Sequence, residues 1–282
     1  MAERQRDAFQ FPESERDFLE PHLPPKYRAD DETRRTFTTL TFATSLDSSL
    51  ALSPGTQTLL SGPQSKAMTH YLRSRHQAIL VGVGTAIADN PSLNCRIEGV
   101  GGYGGEGLEG QPRPVVLDPT LRWDFSSDSK VLALAADGKG RAPYIICAMH
   151  PPDLKRVLLE HLGGKFITLN ISDTGPSKGK LDWADILQAL RDHGIQSVMV
   201  EGGGTVINDL LQSHYAALID SVIVTIAPTW LGQGGVVVSP PRRWSADGTP
   251  IPAARLKDVK WHPFGEDVVL VGNCSRDRCS LV

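Results

Sequence analysis

The sequence predicts an α/β fold built on a largely parallel β-sheet that is covered by helices. Short apolar runs alternate with segments of helical periodicity along most of the chain. The runs are apolar throughout rather than alternating with polar residues, as in strands that are buried on both faces of a parallel sheet. Near the C-terminus, strands follow one another without a helix between them, which predicts antiparallel additions at one edge.

Composition places the chain among ordinary globular proteins and removes several functional classes. Of 282 residues, 40% are hydrophobic and 22% are charged, and the net charge is −3. This balance gives no support to nucleic-acid binding, which favours a strong basic excess. No apolar run approaches the roughly 18 residues that a membrane-spanning helix needs. The charged N-terminus lacks the apolar stretch of a signal peptide, so we expect a cytoplasmic protein.

The cysteines fit the same interpretation. Their number is four, and they are Cys95, Cys147, Cys274 and Cys279. None forms a Cys-x-x-Cys pair, so we interpret them as free thiols in a reducing compartment and expect no metal site.

The elements follow from local patterns. Residues 1–34 mix charges with prolines and are expected to be an irregular, loosely attached extension. Residues 35–274 are expected to form one domain, followed by a tail at 275–282. Strands are predicted at 36–46, 78–82, 114–118, 144–148, 166–171, 197–201, 219–231 and 267–272, where β-branched and other apolar residues dominate. Helices are predicted at 65–76, 152–162, 181–195 and 205–215 from apolar residues at helical spacing.

Two segments are expected to be loops despite suggestive composition. Residues 99–110 are rich in glycine, but no strand leads in and no helix leads out, as a phosphate-binding loop requires. We therefore interpret them as a flexible surface loop. Residues 239–261 contain Arg242 and Arg243 beside Trp244, yet their prolines favour a solvated loop over a binding patch.

The most informative feature is a pair of glycine turns that each follow an apolar run. They lie in AILVGVGTAIADNP (78–91) and SVMVEGGGTVINDLL (197–211). Glycine lets an anion approach the backbone closely, and a helix start offers unpaired amides. Neither turn is a complete dinucleotide fingerprint, since Ile87 stands where the third glycine of the first would be. Each turn alone is compatible with a purely structural bend, whereas the pair favours a dinucleotide-sized ligand.

Polar residues cluster around these turns. Thr85 and Asp89 lie four residues apart, which would place them on one side of a helical turn, suited either to ribose and phosphate oxygens or to capping. Glu201 ends an apolar strand, where α/β sheets bind ligands, although a structural salt bridge is the alternative. Arg73 and Arg96 flank the first turn. Guanidinium groups pair bidentately with phosphate, but a solvated surface position is the usual explanation of an arginine.

Taken together, the motifs resemble a known family. They are TSLD (44–47), THYLRSRHQAILVGVGTAIADNPSLNCR (69–96), PRPVVLD (112–118), SVMVEGGGTVINDLL (197–211) and TIAPTWLGQGG (225–235). In this order they are similar to the fungal reductases of riboflavin biosynthesis that act on 2,5-diamino-6-ribosylamino-4(3H)-pyrimidinone 5′-phosphate. Those enzymes are related to the C-terminal reductase domain of bacterial bifunctional riboflavin enzymes. The resemblance covers about Thr36 to Gly272.

The resemblance implies a dihydrofolate-reductase-like α/β fold, a homodimer, NADPH as hydride donor, and reduction of the ribosylamino group to a ribitylamino group. By motif position, the cofactor contacts would be Thr85, Asp89, Ile171, Gly202, Gly203, Gly204 and Thr205. The substrate contacts would be Arg73, Leu93, Arg96 and Glu201.

We expect two residues in catalytic roles, Glu201 orienting the substrate and Asp47 assisting proton delivery. The family has glycine after this aspartate, whereas this chain has Ser48, which puts the local turn in doubt.

Three other functions compete with this hypothesis. A zinc-dependent deaminase needs His-x-Glu and Pro-Cys-x-x-Cys, and the sequence contains neither. A catalytically silent nucleotide-binding protein and a reductase of the same fold acting on a pterin-like heterocycle remain open alternatives.

Overall fold

The computed structural model describes residues 8–25 and 35–274. The strands are, in chain order, β1 Phe37–Thr44, β2 Ser49–Ala51, β3 Ala78–Gly82, β4 Val100–Gly101, β5 Gly104–Gly105, β6 Arg113–Leu117, β7 Tyr144–Cys147, β8 Lys165–Thr168, β9 Ser197–Gly202, β10 Ser221–Ile226, β11 Val236–Val237, β12 Arg243–Trp244, β13 Pro250–Ile251, β14 Leu256–Phe264 and β15 Asp267–Cys274. The α-helices are α1 Pro63–Arg75, α2 Val83–Asp89, α3 Lys130–Ala136, α4 Asp153–His161, α5 Trp183–Asp192 and α6 Gly204–Leu210.

One large sheet organises the domain. Its strand order is β14-β15-β10-β1-β9-β3-β6-β7-β8. The strands from β10 to β8 run parallel to one another, and β15 and β14 are added antiparallel at one edge. The predicted α/β fold with a central, mostly parallel sheet flanked by helices is confirmed, as are the antiparallel additions.

The sheet is buried on both faces, and the side chains of β9 alternate between them. Val198 and Val200 pack in the cluster that holds the buried residues of α5 and α6. Met199 faces the opposite side, where it packs with Met68 of α1. Because successive strand residues alternate between faces, Glu201 projects toward the α1 side.

The N-terminal segment that the structure describes is irregular but firmly packed. Residues 8–25 contain only two single-turn 3₁₀ helices, Glu13–Glu15 and Glu20–His22. Phe11, Leu19 and Leu23 are nevertheless buried in the same cluster as α1. The expected loose attachment therefore does not describe residues 8–25, because these apolar side chains complete the core. The predicted tail at 275–282 lies outside the described residues.

Several element boundaries differ from the predictions. The helix expected at 205–215 is divided into α6 and a 3₁₀ helix, Ser213–Leu218. The strands expected to reach residues 171 and 231 end at Thr168 and Ile226. Helix α3 was missed, as was β14, which begins inside the expected loop 239–261. Strand β14 carries charged residues and a proline because it is an edge strand with an exposed face, so it lacks an apolar run.

The glycine-rich segment is a compact loop rather than a flexible one. Strands β4 and β5 pair within it. Gly101 is buried, and a Cβ atom there would lie 2.5 Å from the carbonyl oxygen of Gly107. Gln111 anchors the base of the loop, because its side-chain amide donates to the carbonyl oxygens of Gly101 and Cys95, each at 2.7 Å. The glycines therefore serve close backbone packing.

Candidate active site

The two glycine turns meet at the carboxyl edge of the sheet. They connect β3 to α2 and β9 to α6, and β3 and β9 are neighbours in the sheet. A Cβ atom on Gly203 would lie 2.8 Å from the hydroxyl oxygen of Thr85, and one on Gly82 would lie 3.0 Å from a methyl group of Val206. Gly202 has a φ of 120°, and the Gly202–Gly203 peptide bond is cis. Close contact of the turns thus depends on the absence of side chains.

A cleft of about 800 Å³ opens above the two turns. Its size is in the range of small-molecule and cofactor sites. The expected cofactor residues that line it are Thr85, Asp89, Ile171, Gly203, Gly204 and Thr205. Gly202 does not line the cleft but forms the bend that leads into it. Ile171 lies beyond the end of β8 and is exposed.

Helix α2 carries the polar residues of the first turn. Thr85 and Asp89 both lie on this helix, four residues apart, and both line the cleft. Burial raises the pKa of the Asp89 carboxyl group, while the positive charge of Lys130 acts in the opposite direction. Gly84 is exposed, and a Cβ atom there would meet nothing within 4 Å, so the backbone at this point faces open space.

Glu201, which lines the cleft, forms a bidentate ion pair with Arg73, which does not. The Arg73 Nε donates to Glu201 Oε1 at 2.9 Å, and Nη2 donates to Oε2 at 2.8 Å. The Arg73 Nη1 also donates to the carbonyl oxygen of Asn94 at 3.0 Å. The two side chains are only 15% and 17% exposed. Burial opposes the charge of Arg73, but the negative charge and hydrogen bonds of Glu201 raise its pKa.

A second cation, Arg96, lies on the same side of the sheet as Arg73. The backbone N–H of Arg96 donates to His70 Nδ1 at 3.1 Å, so the neutral imidazole carries its proton on Nε2. Burial lowers the pKa of His70 to about 2, with further contributions from the charges of Arg73 and Arg96. The Phe9 ring stacks on His70, with centroids 4.7 Å apart, and lies 4.5 Å from the Arg96 guanidinium carbon. The N-terminal segment thus helps to position Arg96.

Leu93 differs from the other expected substrate residues. Its side chain is 2% exposed and packs in the core with Val81 and Leu132. Its φ is 51°, in the left-handed region. Leu93 is not among the residues that line the cleft, and its side chain is occupied by core packing.

Asp47 is placed differently from the role expected for it. It accepts hydrogen bonds from the Ser45 hydroxyl and from the backbone N–H groups of Leu231, at 3.2 Å, and Gly232, at 2.8 Å. These bonds, that from Ser45 above all, lower the pKa of its carboxyl group. Asp47 is not among the residues that line the cleft. It joins two loops, and a carboxylate of lowered pKa is a poor proton donor.

Comparison with known proteins gives this arrangement a family. A sequence model of the RibD C-terminal domain matches residues 36–270. The chain belongs to the RibD C-terminal domain family. A relative from Debaryomyces hansenii, the 2,5-diamino-6-ribosylamino-4(3H)-pyrimidinone 5′-phosphate reductase, is 41% identical over 263 residues, which are 93% of this chain and 95% of the relative. The Saccharomyces cerevisiae reductase of the same name is 35% identical over 92% of this chain and 95% of its own length.

Solved structures of RibD-type reductases share the fold. The Saccharomyces cerevisiae riboflavin biosynthesis reductase Rib7 superimposes with a TM-score of 0.72 at 34% identity, covering 93% of this chain and all of that one. RibD from Acinetobacter baumannii gives a TM-score of 0.65 at 23% identity, covering 86% of this chain and 59% of that chain. Since reductases related at about 40% identity span most of the chain, this member of the RibD family is an oxidoreductase.

Within this RibD-type domain, the expected site residues fall into two groups. All the expected cofactor residues except Gly202 line one cleft, whereas Arg73, Leu93 and Arg96 do not line it. Arg73 and Arg96 are together called the cationic group. Glu201 connects the groups, because it lines the cleft and binds Arg73. The structure thus shows the salt bridge that was the alternative for Glu201, at a position that also lines the cleft.

Sequence reasoning missed the loop that follows β6. Asp118 is 1% exposed, and its carboxylate accepts from the backbone N–H groups of Arg122, at 3.0 Å, and Trp123, at 2.9 Å. Thr120 and Arg122 line the cleft. The signal that could have identified this loop is the carboxylate of Asp118 at the end of a buried parallel strand.

Cys95, Cys147 and Cys274 are free and buried, and Cys279 lies outside the described residues. Within residues 8–25 and 35–274, no three His, Cys, Asp or Glu residues are grouped as metal ligands. Over the same ranges, no helix has the length and apolar character needed to cross a bilayer.

Proposed function

We propose that this chain reduces the ribosylamino side chain of 2,5-diamino-6-(ribosylamino)pyrimidin-4(3H)-one 5′-phosphate to the ribitylamino form, using NADPH, in an early step of riboflavin biosynthesis. One observation carries the proposal. Two touching glycine turns form the base of a dinucleotide-sized cleft, and Glu201, paired with Arg73, stands where that cleft meets a cationic group. The similarity to reductases of that name over most of the chain supports the choice of substrate.

The residues of the cleft fit a nicotinamide dinucleotide. Gly84 leaves its backbone open to the cleft, and Gly203 has no room for a side chain beside Thr85. These features suit close approach of a pyrophosphate to the backbone. Thr85 and Asp89 supply a hydroxyl group and a carboxylate from one side of α2. When bound, the cofactor supplies the hydride, while the protein supplies binding, orientation and exclusion of water.

The cationic group is suited to the phosphorylated sugar. Glu201 holds Arg73 in one orientation through two hydrogen bonds, and Arg73 in turn holds the Asn94 carbonyl. Arg96 follows two residues later, with its guanidinium over Phe9. In our proposal Arg96 binds the 5′-phosphate, while the Arg73–Glu201 pair orients the sugar. Proton delivery by Asp47 is not included, because its hydrogen bonds stabilise the ionised carboxylate.

The direct test is turnover by the purified chain. We expect loss of the reduced-nicotinamide absorbance when NADPH and the ribosylaminopyrimidine phosphate are both present, with formation of the ribityl product by mass spectrometry. Equal turnover of the dephosphorylated substrate would contradict the role of the cationic group. Cofactor binding without turnover would favour a silent nucleotide-binding protein, and turnover of a pterin alone would favour the other reductase.

We also propose that the chain forms a homodimer. Strand β14 is the outer strand of the sheet, and Val259 and Trp261 on it are exposed. Long edge strands with apolar side chains tend to pair with another chain. Sedimentation analysis should give twice the mass of the chain, and Trp261→Lys should shift it toward the monomer. A wild-type monomer at micromolar concentration would contradict the proposal.

A further inference from the structure

We propose that Arg122 recognises the 2′-phosphate of NADPH and thereby selects NADPH over NADH. The inference rests on the proposed function, since it concerns the cofactor of that same cleft. It assigns a specificity role to a residue that neither glycine turn contains.

The position of Arg122 in the fold is the first argument. In the sheet order β1-β9-β3-β6, the two glycine turns follow the central strands β9 and β3. Arg122 lies in the loop after β6, whose Leu117 is in register with Gly82. With neighbouring strands about 4.8 Å apart, this loop begins on the order of 10 Å from the end of β9. A dinucleotide held at the turns therefore directs one end toward β1 and the other toward Arg122.

The residues that line the two ends of the cleft indicate which end holds the nicotinamide half of the cofactor and which holds the adenosine half. Toward β1 the cleft is lined by Phe42, Ala43 and Leu50, and Glu201 stands beside the β9 turn. This end combines apolar walls with access to the cationic group that holds the substrate, as hydride transfer requires. Toward β6 the lining residues include Thr120 and Arg122. The adenosine half, with its 2′-phosphate, therefore belongs at the β6 end.

Charge pairing provides the second argument. In the part of the chain that the structure describes, two cations line the cleft, Arg122 and Lys180. The Lys180 Nζ lies 3.3 Å from the carboxylate of Asp209. Arg122 has no carboxylate within ion-pair distance among the described residues. Within residues 8–25 and 35–274 its guanidinium donors are available, and its planar fork matches a phosphate bidentately.

The backbone of Arg122 is also fixed in place. The buried carboxylate of Asp118 accepts from the backbone N–H groups of Arg122 and Trp123. Pro119 on the same loop accepts from the backbone N–H of Ala148 at 2.9 Å. An exposed arginine on a mobile loop would lose entropy on binding, whereas here the root of the side chain is already held at the rim. Asp118 is thus a positioning residue for Arg122.

The test compares the dissociation constants of NADPH and NADH, measured by fluorescence titration without substrate. We expect the wild type to prefer NADPH. The variant Arg122→Gln should raise the dissociation constant of NADPH by about ten- to a hundredfold, as for loss of a charged hydrogen bond. The dissociation constant of NADH should stay within about twofold of the wild-type value. Competition by 2′,5′-ADP should weaken in parallel, while competition by 5′-AMP should not.

Lys180→Gln is the matched control, because it removes the other cation of the cleft. It should leave the NADPH to NADH ratio unchanged, and both variants should keep the wild-type melting temperature. An unchanged ratio in Arg122→Gln, with tight NADPH binding by the wild type, would overturn the inference but not the proposed function. A wild type that binds neither nucleotide, or that binds NADH equally well, would overturn both the cofactor assignment and the inference.

Discussion

The cleft and the cationic group are built by opposite means. The cleft depends on absent side chains, since Gly84 leaves open space and Gly203 has Thr85 where a Cβ atom would need room. The cationic group depends on buried polar side chains that hold one another, as Glu201 holds Arg73 and His70 holds the backbone of Arg96. Substitutions in the cleft should therefore affect ligand binding more than folding. Substitutions in the cationic group should affect both.

The largest effect is expected from Glu201→Ala. It leaves the buried Arg73 guanidinium without its carboxylate, which should lower the free energy of unfolding by about 3–5 kcal/mol and abolish turnover. Urea unfolding and steady-state kinetics measure the two effects. The double variant Arg73→Met with Glu201→Leu removes both charges and should recover most of the stability but none of the activity. Recovery of activity in the double variant would show that the pair is only structural.

Acid should destabilise the protein through two buried histidines of the α1 region. Burial lowers the pKa of His70 to about 2 and that of His76 to about 4. Below about pH 6.5 the unfolded chain binds protons that the folded chain excludes. The free energy of unfolding should therefore fall with decreasing pH from about 6.5, by about 1.4 kcal/mol per pH unit for each histidine, down to about pH 4 for His76.

Urea titrations at pH 7 and 5.5 measure this dependence. His76→Gln should reduce the loss, whereas substitution of His150, which is exposed, by Gln should not change it. A pH dependence that is unaltered in His76→Gln would contradict the assignment.

The next effect is expected at Arg96. Arg96→Ala should raise KM for the phosphorylated substrate roughly thirtyfold, which corresponds to a loss of about 2 kcal/mol of binding free energy, with little change in kcat. KM for NADPH should stay constant, because Arg96 does not line the cleft. A similar rise in KM for the dephosphorylated substrate would show that the lost contact was not to phosphate.

Gly84→Ala should separate binding from stability most sharply. Gly84 lies in α2, and a Cβ atom there meets nothing within 4 Å, so alanine should stabilise the folded protein by about 0.5–1 kcal/mol. The same methyl group occupies the space above the turn, so the dissociation constant of NADPH should rise at least tenfold. Thermal melting and nucleotide titration test the two parts. Unchanged cofactor affinity would mean that this turn does not contact the cofactor.

The smallest effect is expected at Ser48, the residue that follows Asp47 in the turn between β1 and β2. Its φ is 61°, and a residue with a side chain costs roughly 1–2 kcal/mol there. Ser48→Gly should therefore raise the free energy of unfolding by about 1 kcal/mol, while Asp47 keeps its contacts to the 231–232 loop. A loss of stability would show that the Ser48 side chain compensates for the strained backbone.

The sequence was sufficient for the sheet and for the cleft, but not for the contacts of the cationic group. Buried parallel strands form apolar runs, and glycine turns are local signals, so both could be recognised. The pairing of Arg73 with Glu201 joins residues 128 positions apart, and only the packing of α1 against β9 brings them together. Strand β14 lacked a local signal because charged residues interrupt its apolar ones. Arg122 itself belongs to no motif, although the carboxylate of Asp118 at the end of β6 points to its loop.

The contact between Phe9 and Arg96 has a practical consequence for trimming this protein. The stretch that the family model matches begins at residue 36, which makes it an obvious place to cut. Such a truncation would strip Phe11, Leu19 and Leu23 from the core and leave the Arg96 guanidinium without the ring beneath it. An expression fragment should therefore start upstream of Phe9, and an affinity tag should be placed away from the contact of Phe9 with Arg96.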